Sequence, residues 1–175
     1  MADFPEPVHY SRTDCPTGWT IRDWETANKL LSYFEPIRRP FAIFTLPNNS
    51  YVQTLGAKRR LTVEAREYHR NGSFTHWVFG HAMPLGILES IEVSTGTLTV
   101  DTTQLLAMRD ARVIIRQFLE TRTFPLSYHR QDVTERFQSK DKLGLKFRTK
   151  VPGNDKQSSL EINEPAVDSL SKDCW

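Results

Sequence analysis

The stretch SYVQTLGAKRRLTVEAREYHRNGSFTHWVFG, residues 50–80, decides the fold of this chain. Its apolar residues recur at every second position in three short runs, the spacing of half-buried β-strands rather than of a helix. Gly56–Arg59 separates the first two runs and Asn71-Gly72 the second and third. Asn-Gly predicts a two-residue type I′ hairpin turn, in which both positions take positive φ. That turn sets Arg70 opposite Ser73, Glu67 opposite His76, Ala65 opposite Val78 and Glu64 opposite Phe79. A four-residue loop at Gly56–Arg59 sets Thr54 opposite Leu61, Val52 opposite Val63 and Tyr51 opposite Glu64.

Register then sorts the side chains, because residues opposite one another share a face of the sheet. One face collects Ala42, Phe44, Leu46, Val52, Thr54, Leu61, Val63, Ala65 and Val78, a core surface ready for helices. The other collects Tyr51, Gln53, Thr62, Glu64, Arg66, Tyr68, Thr75, Trp77 and Phe79, aromatic and charged together.

Just before this stretch, PFAIFTLP (residues 40–47) is too short for a typical helix and carries Phe, Ile and Thr, so it adds a fourth strand. Upstream of it a helix starts near Thr20, where Thr20 and Asp23 have capping-box spacing. Trp24, Ala27, Leu30, Leu31 and Phe34 make one apolar stripe, and Pro36 ends the helix. Residues 1–19, rich in Pro and polar residues, read as an extended arm.

Downstream, Ile87, Leu88, Ile91 and Val93 indicate a fifth strand, and Ser94–Gly96 turns the chain into a sixth, TLTV. A second helix, about Thr103 to Glu120, is capped by Asp101 or Thr102. Its stripe is Ala107, Met108, Ala111, Ile114, Ile115 and Phe118. The expected architecture is α+β: an antiparallel meander of about six strands, with an N-terminal and a C-terminal helix packed on one face. The single domain covers residues 20–137, and residues 138–175 form a poorly ordered tail with one candidate edge strand at 143–149.

Composition limits the function. The chain has 175 residues, enough for one domain with a sizeable core. A net charge of +2 from 23 basic and 21 acidic residues argues against a dedicated nucleic-acid or anionic-membrane binder. No apolar run approaches the roughly 20 residues that cross a bilayer, and no signal peptide is evident at the start of the sequence. The expected setting is the cytoplasm. Cys15 and Cys174 leave room for one disulfide but make no disulfide framework, and the histidines have no metal-ligand spacing. No metal or cofactor is expected.

Glu67 and His76, opposite one another in the expected hairpin, are the minimal kit for general acid–base chemistry. The plainer reading is an ordinary cross-strand pair, since no nucleophile has a defined place beside it. The clusters Arg38-Arg39, Lys58-Arg59-Arg60 and Arg109, Arg112, Arg116 read as solvated turns and a solvated helix face. The aromatic and charged sheet face carries more promise, because Tyr, Trp and Arg are the residue types enriched at binding hot spots. The residues expected to bind a partner are Tyr51, Gln53, Glu64, Arg66, Tyr68 and Trp77, with Arg66 stacked on Trp77. The competing reading covers this face with the protein's own termini.

The order of parts resembles that of bacterial immunity proteins, the small antitoxins of polymorphic or contact-delivered toxin systems. The resemblance lies in the leading helix, the meander with "YVQTLG" and "LTVEAR", and the late helix with "IIRQFLETRTFP" closed by Pro125, over about residues 20–130. It implies an α+β fold without enzymatic activity that binds a cognate protein toxin and occludes its active site. Many such proteins are strongly acidic, whereas this chain is slightly basic, which weighs against a nuclease as the toxin. Two other readings stand beside it: a small α+β enzyme using a Glu/His pair, and an adaptor or chaperone for a secreted effector. Oligomeric state is open.

Overall fold

The structure is a computed structural model that describes residues 3–142, apart from positions 36, 58 and 95. It is α+β, with nine strands and three α-helices among the described residues. In chain order these are β1 (Asp3–Arg12), β2 (Cys15–Asp23), α1 (Trp24–Ser32), β3 (Phe41–Thr45), β4 (Tyr51–Ala57) and β5 (Arg60–Tyr68). They continue as β6 (Phe74–Gly80), β7 (Leu88–Val93), β8 (Gly96–Asp101), α2 (Met108–Thr121), β9 (His129–Asp132) and α3 (Thr134–Lys142). A short 3-10 turn, Thr102–Gln104, precedes α2.

Seven strands make one sheet in the order β2-β1-β3-β4-β5-β6-β9, every neighbouring pair antiparallel. The four-stranded meander expected at residues 41–80 is its centre. The segment read as an extended arm is instead a hairpin of that sheet: β1 pairs with both β2 and β3, and Val8, Tyr10 and Ile21 enter the core. Its alternation was hidden by Pro5 and Pro7, which read as loop. The expected fifth and sixth strands exist as β7 and β8 but leave the meander, pairing only with each other as a separate two-stranded sheet.

Helix α1 begins four residues later than expected, because Asp23 itself is the N-cap and accepts from the Thr26 N–H at 2.8 Å. Asp101 caps the 3-10 turn rather than α2, whose first turn is closed by the Asp110 carboxylate accepting from the Ala107 N–H at 2.9 Å. The two helices meet through Arg112, which donates to the Ser32 hydroxyl, and through Arg116 over the Trp24 ring. Ala27, Leu30 and Leu31 of α1 and Ala111, Ile114, Ile115, Phe118 and Leu119 of α2 are buried in one cluster with Phe44, Val52, Leu61, Val63 and Ala65.

Two register corrections follow from the turns. The β4–β5 connection is tight, with Ala57 opposite Arg60, so Thr54 faces Val63 and Tyr51 faces Arg66. This shift of two residues from the expected pairing leaves every side chain on its expected face. The β5–β6 connection is longer by one residue than a type I′ turn. His69 pairs with Ser73 through its N–H, Arg70, Asn71 and Gly72 form the loop, and of these Gly72 alone takes positive φ, 82°. Asn71 instead turns its side chain back onto the Ser73 N–H at 3.0 Å. The three-residue loop moves the register by one, so Ala65 faces Trp77, Glu64 faces Val78 and Arg66 faces His76.

A slip of one exchanges the faces of β6. Trp77 and Phe79 lie with the core, Trp77 half-buried against it and Phe79 wholly buried, while Val78 lies on the opposite face. That second face is covered in part by the β7–β8 hairpin, tied down by an Arg60–Glu89 ion pair, and in part by α3. The boundary expected at residue 137 falls inside α3, and the edge strand expected at 143–149 lies outside the described residues, as does Cys174. Strand β9 is an edge strand that sequence reading missed.

Candidate functional site

Rows of paired residues cross the sheet on its second face. One runs Gln53–Glu64–Val78–Gln131 over β4, β5, β6 and β9; the next runs Tyr51–Arg66–His76. Together they form a hydrogen-bonded relay. Arg66 donates through Nε to His76 Nδ1 at 3.2 Å, and His76 Nε2 lies 3.2 Å from Glu64 Oε2. Gln53 Nε2 donates to the same Glu64 oxygen at 2.9 Å. Because a guanidinium can only donate, Nδ1 must accept and the imidazole proton sits on Nε2, donated to the Glu64 carboxylate. His76 is thus held as the neutral tautomer with both nitrogens engaged.

Aromatic rings close over this relay. Phe137 of α3 stacks on His76 with ring centres 4.1 Å apart, and Arg66 lies over Phe74 and Phe137 at 4.3 and 4.8 Å. His76 is left 1% exposed, while Glu64 keeps 24%. Burial raises the Tyr51 phenol above its ordinary value, with the Arg66 charge opposing and the Glu64 charge adding to the rise.

Of the residues expected to bind a partner, Tyr51, Gln53, Glu64 and Arg66 come together here, and Tyr68 stands more exposed at the end of the same face. Trp77 does not join them. It points to the core side, where its indole N–H donates to Glu67 Oε2 at 2.6 Å and Arg130 lies over its ring. The expected Arg66–Trp77 stack is therefore replaced by Arg66 on Phe74 and Phe137. The Glu67–His76 pair is likewise corrected: Glu67 faces Thr75, and the carboxylate that meets His76 is Glu64. Both ring nitrogens of His76 are engaged within the protein, and its ring lies against Phe137.

Beside the relay is a cleft of about 390 Å³ between β7–β8 and α3. Its floor is the row Glu64, Val78 and Gln131, one wall is Leu88, Leu98 and Val100, and Arg136 borders it on the α3 side. Gln104 donates to Gln131 at 2.7 Å at one end. The rim is the segment entering β7, where Met83, Leu85, Ile87 and Leu88 are each more than half exposed. Asp101 pins this rim: its carboxylate accepts from the Gly86 N–H at 2.6 Å and from the Thr103 N–H and hydroxyl. Burial pushes the Asp101 carboxyl up, but these hydrogen bonds outweigh it and hold it below its ordinary value.

Sequence reading missed Phe137, the cleft and the exposed rim. Phe137 was legible as an isolated aromatic in an otherwise polar segment, but nothing local tied it to His76, sixty-one positions away. The rim could be read as apolar, and was assigned to strand because Ile87 and Leu88 favour one.

No three His, Cys, Asp or Glu side chains among the described residues are grouped to hold a metal ion. No helix among them is long and apolar enough to cross a membrane. Comparison with protein-family models, curated proteins and solved structures finds no match to this chain.

Proposed function

We propose that this chain is a protein-binding module of the immunity type, which docks on a cognate toxin and occludes its active site. The observation that supports this reading is the exposed apolar rim, Met83, Leu85, Ile87 and Leu88, beside a cleft with a charged floor. Large apolar side chains gathered in one surface segment mark interaction sites, and a polar pocket alongside adds selectivity. The docking surface of this proposal is thus the rim and cleft together with Tyr51 and Tyr68 on the same sheet face. Trp77, on the core side, has no part in it.

The test is co-expression. A toxin gene adjacent to that of this chain, lethal when expressed alone, should be neutralised by the wild-type chain. It should kill in the presence of a Leu85→Asp, Leu88→Asp double variant whose circular dichroism and melting match wild type. Full protection by that variant, or a partner that binds equally well without the rim side chains, would refute the proposed surface.

A further inference from the structure

We infer that the cleft between β7–β8 and α3 receives a basic side chain, arginine above all, presented by the protein partner. The inference rests on the docking surface proposed above and names the chemistry that the surface recognises.

The argument starts from Glu64. Its carboxylate is half-buried, yet the groups that hold it are neutral: the Gln53 amide and the His76 Nε2–H, both on Oε2. No Lys or Arg among the described residues lies within ion-pair distance of it, and no described residue donates to Oε1. A partly desolvated carboxylate oriented by neutral donors has no cationic partner of its own, and an arginine fork is a strong charge-assisted donor to such a group. The relay strengthens this arrangement. Arg66 is kept one imidazole away from Glu64, so it orients the carboxylate through His76 without pairing with it.

Of the other charged groups of the cleft, Asp101 spends its oxygens on Gly86 and Thr103, and Arg136, at the α3 border, has an interaction of its own. The walls then fit the rest of an arginine. Leu88, Leu98 and Val100 offer an apolar flank for the aliphatic stem, with Val78 beneath it. Gln104, whose amide nitrogen donates to Gln131, also lines the cleft and adds a polar side chain to it. A volume of about 390 Å³ is ample for one such side chain.

The experiment uses the full chain labelled for amide NMR and titrated with Nα-acetyl-arginine amide, with Nα-acetyl-citrulline amide as the uncharged isostere. The arginine probe should shift the amides of Glu64, Val78, Leu98 and Val100, and the citrulline probe should bind at least about tenfold more weakly. In Glu64→Gln the amide oxygen still accepts from Gln53 and His76, so the fold persists, and the preference for arginine over citrulline should disappear. Equal binding of the two probes overturns the inference, as do shifts that map away from the cleft, a preference that survives Glu64→Gln, or no shift at millimolar probe. The titration contains no protein partner, so its failure leaves the co-expression result standing, and a failed co-expression test leaves the cleft's ligand preference measurable.

Discussion

Trp77→Ala is expected to destabilise the fold severely, which tests the register of the β5–β6 hairpin directly. Trp77 packs half-buried against the core cluster on the helix side of the sheet. Burying about half of a tryptophan removes roughly 100 Å² from water, worth about 2.5 kcal/mol at 25 cal/mol per Å². The indole N–H bond to Glu67 and the Arg130 stack are partly solvated, and together add about 0.5–1 kcal/mol. The expected loss is about 3 kcal/mol, or about 6–12 °C in melting temperature for a domain of this size.

Urea unfolding followed by far-ultraviolet circular dichroism measures it without relying on the tryptophan being removed. Trp77→Phe should keep most of the packing and lose about 1 kcal/mol through the missing donor. Had Asn71-Gly72 formed a two-residue turn, Trp77 would stand on the other face and its removal would resemble a surface change, within about 0.5 kcal/mol. A measured loss below about 1 kcal/mol for Trp77→Ala would refute the three-residue loop and, with it, the placement of Glu64 against His76.

Three further outcomes are expected. Gly56 has φ 131°, and a Cβ there would sit 2.5 Å from the Arg60 carbonyl oxygen, so Gly56→Ala should cost about 2 kcal/mol or more by urea unfolding. The Tyr128 phenol, raised by burial and by its bond to Asp110 to about 12, should titrate late by carbon NMR of its ring, and Asp110→Asn should bring it back toward 10.0. Because its folded value is the higher one, the stability it contributes is complete below 10.0 and is lost as pH rises through about 12. Asp101 has the opposite sign: its folded value is depressed, so its contribution is complete above 3.8 and fades as pH falls through the lower folded value. Protection of the Gly86 amide against hydrogen exchange should fall over that acid range, and be lost at neutral pH in Asp101→Ala.

What the sequence disclosed of this fold was decided by parity. In β4 and β5 the runs Val52–Thr54 and Leu61–Val63–Ala65 alternate with polar residues, so an error of two in the pairing left every face assignment intact. In β6 the two candidate faces were Phe74, His76, Val78 and Thr75, Trp77, Phe79, about equally apolar. Local pattern could not choose between them, and the choice fell to the turn, where Asn-Gly serves both a two-residue and a three-residue loop. The five residues on β4 and β5 expected to bind a partner, Tyr51, Gln53, Glu64, Arg66 and Tyr68, therefore lie on the expected face, while Trp77, on β6, does not. The N-terminal hairpin was hidden for a different reason. Its pairing is with β3, across a helix in sequence, and composition at Pro5 and Pro7 argued for a loop.

The one-residue slip also changes what the second face is for. With Trp77 there, it would have been an aromatic surface open to a partner. With His76 and Val78 there, it becomes a supported polar floor: Arg66 fixes His76, His76 and Gln53 fix Glu64, and Phe137 seals the relay from above. A two-stranded hairpin is marginally stable alone, so β7–β8 depends on this floor, which it meets through buried Ile91 and the Arg60–Glu89 pair. It covers only part of the floor, and what it leaves open is the carboxylate and the apolar rim together. Charge at the bottom of a cleft and exposed leucines at its edge are costly for an isolated domain, and the docking proposed above, of a partner that brings a cation and apolar surface, would relieve both at once.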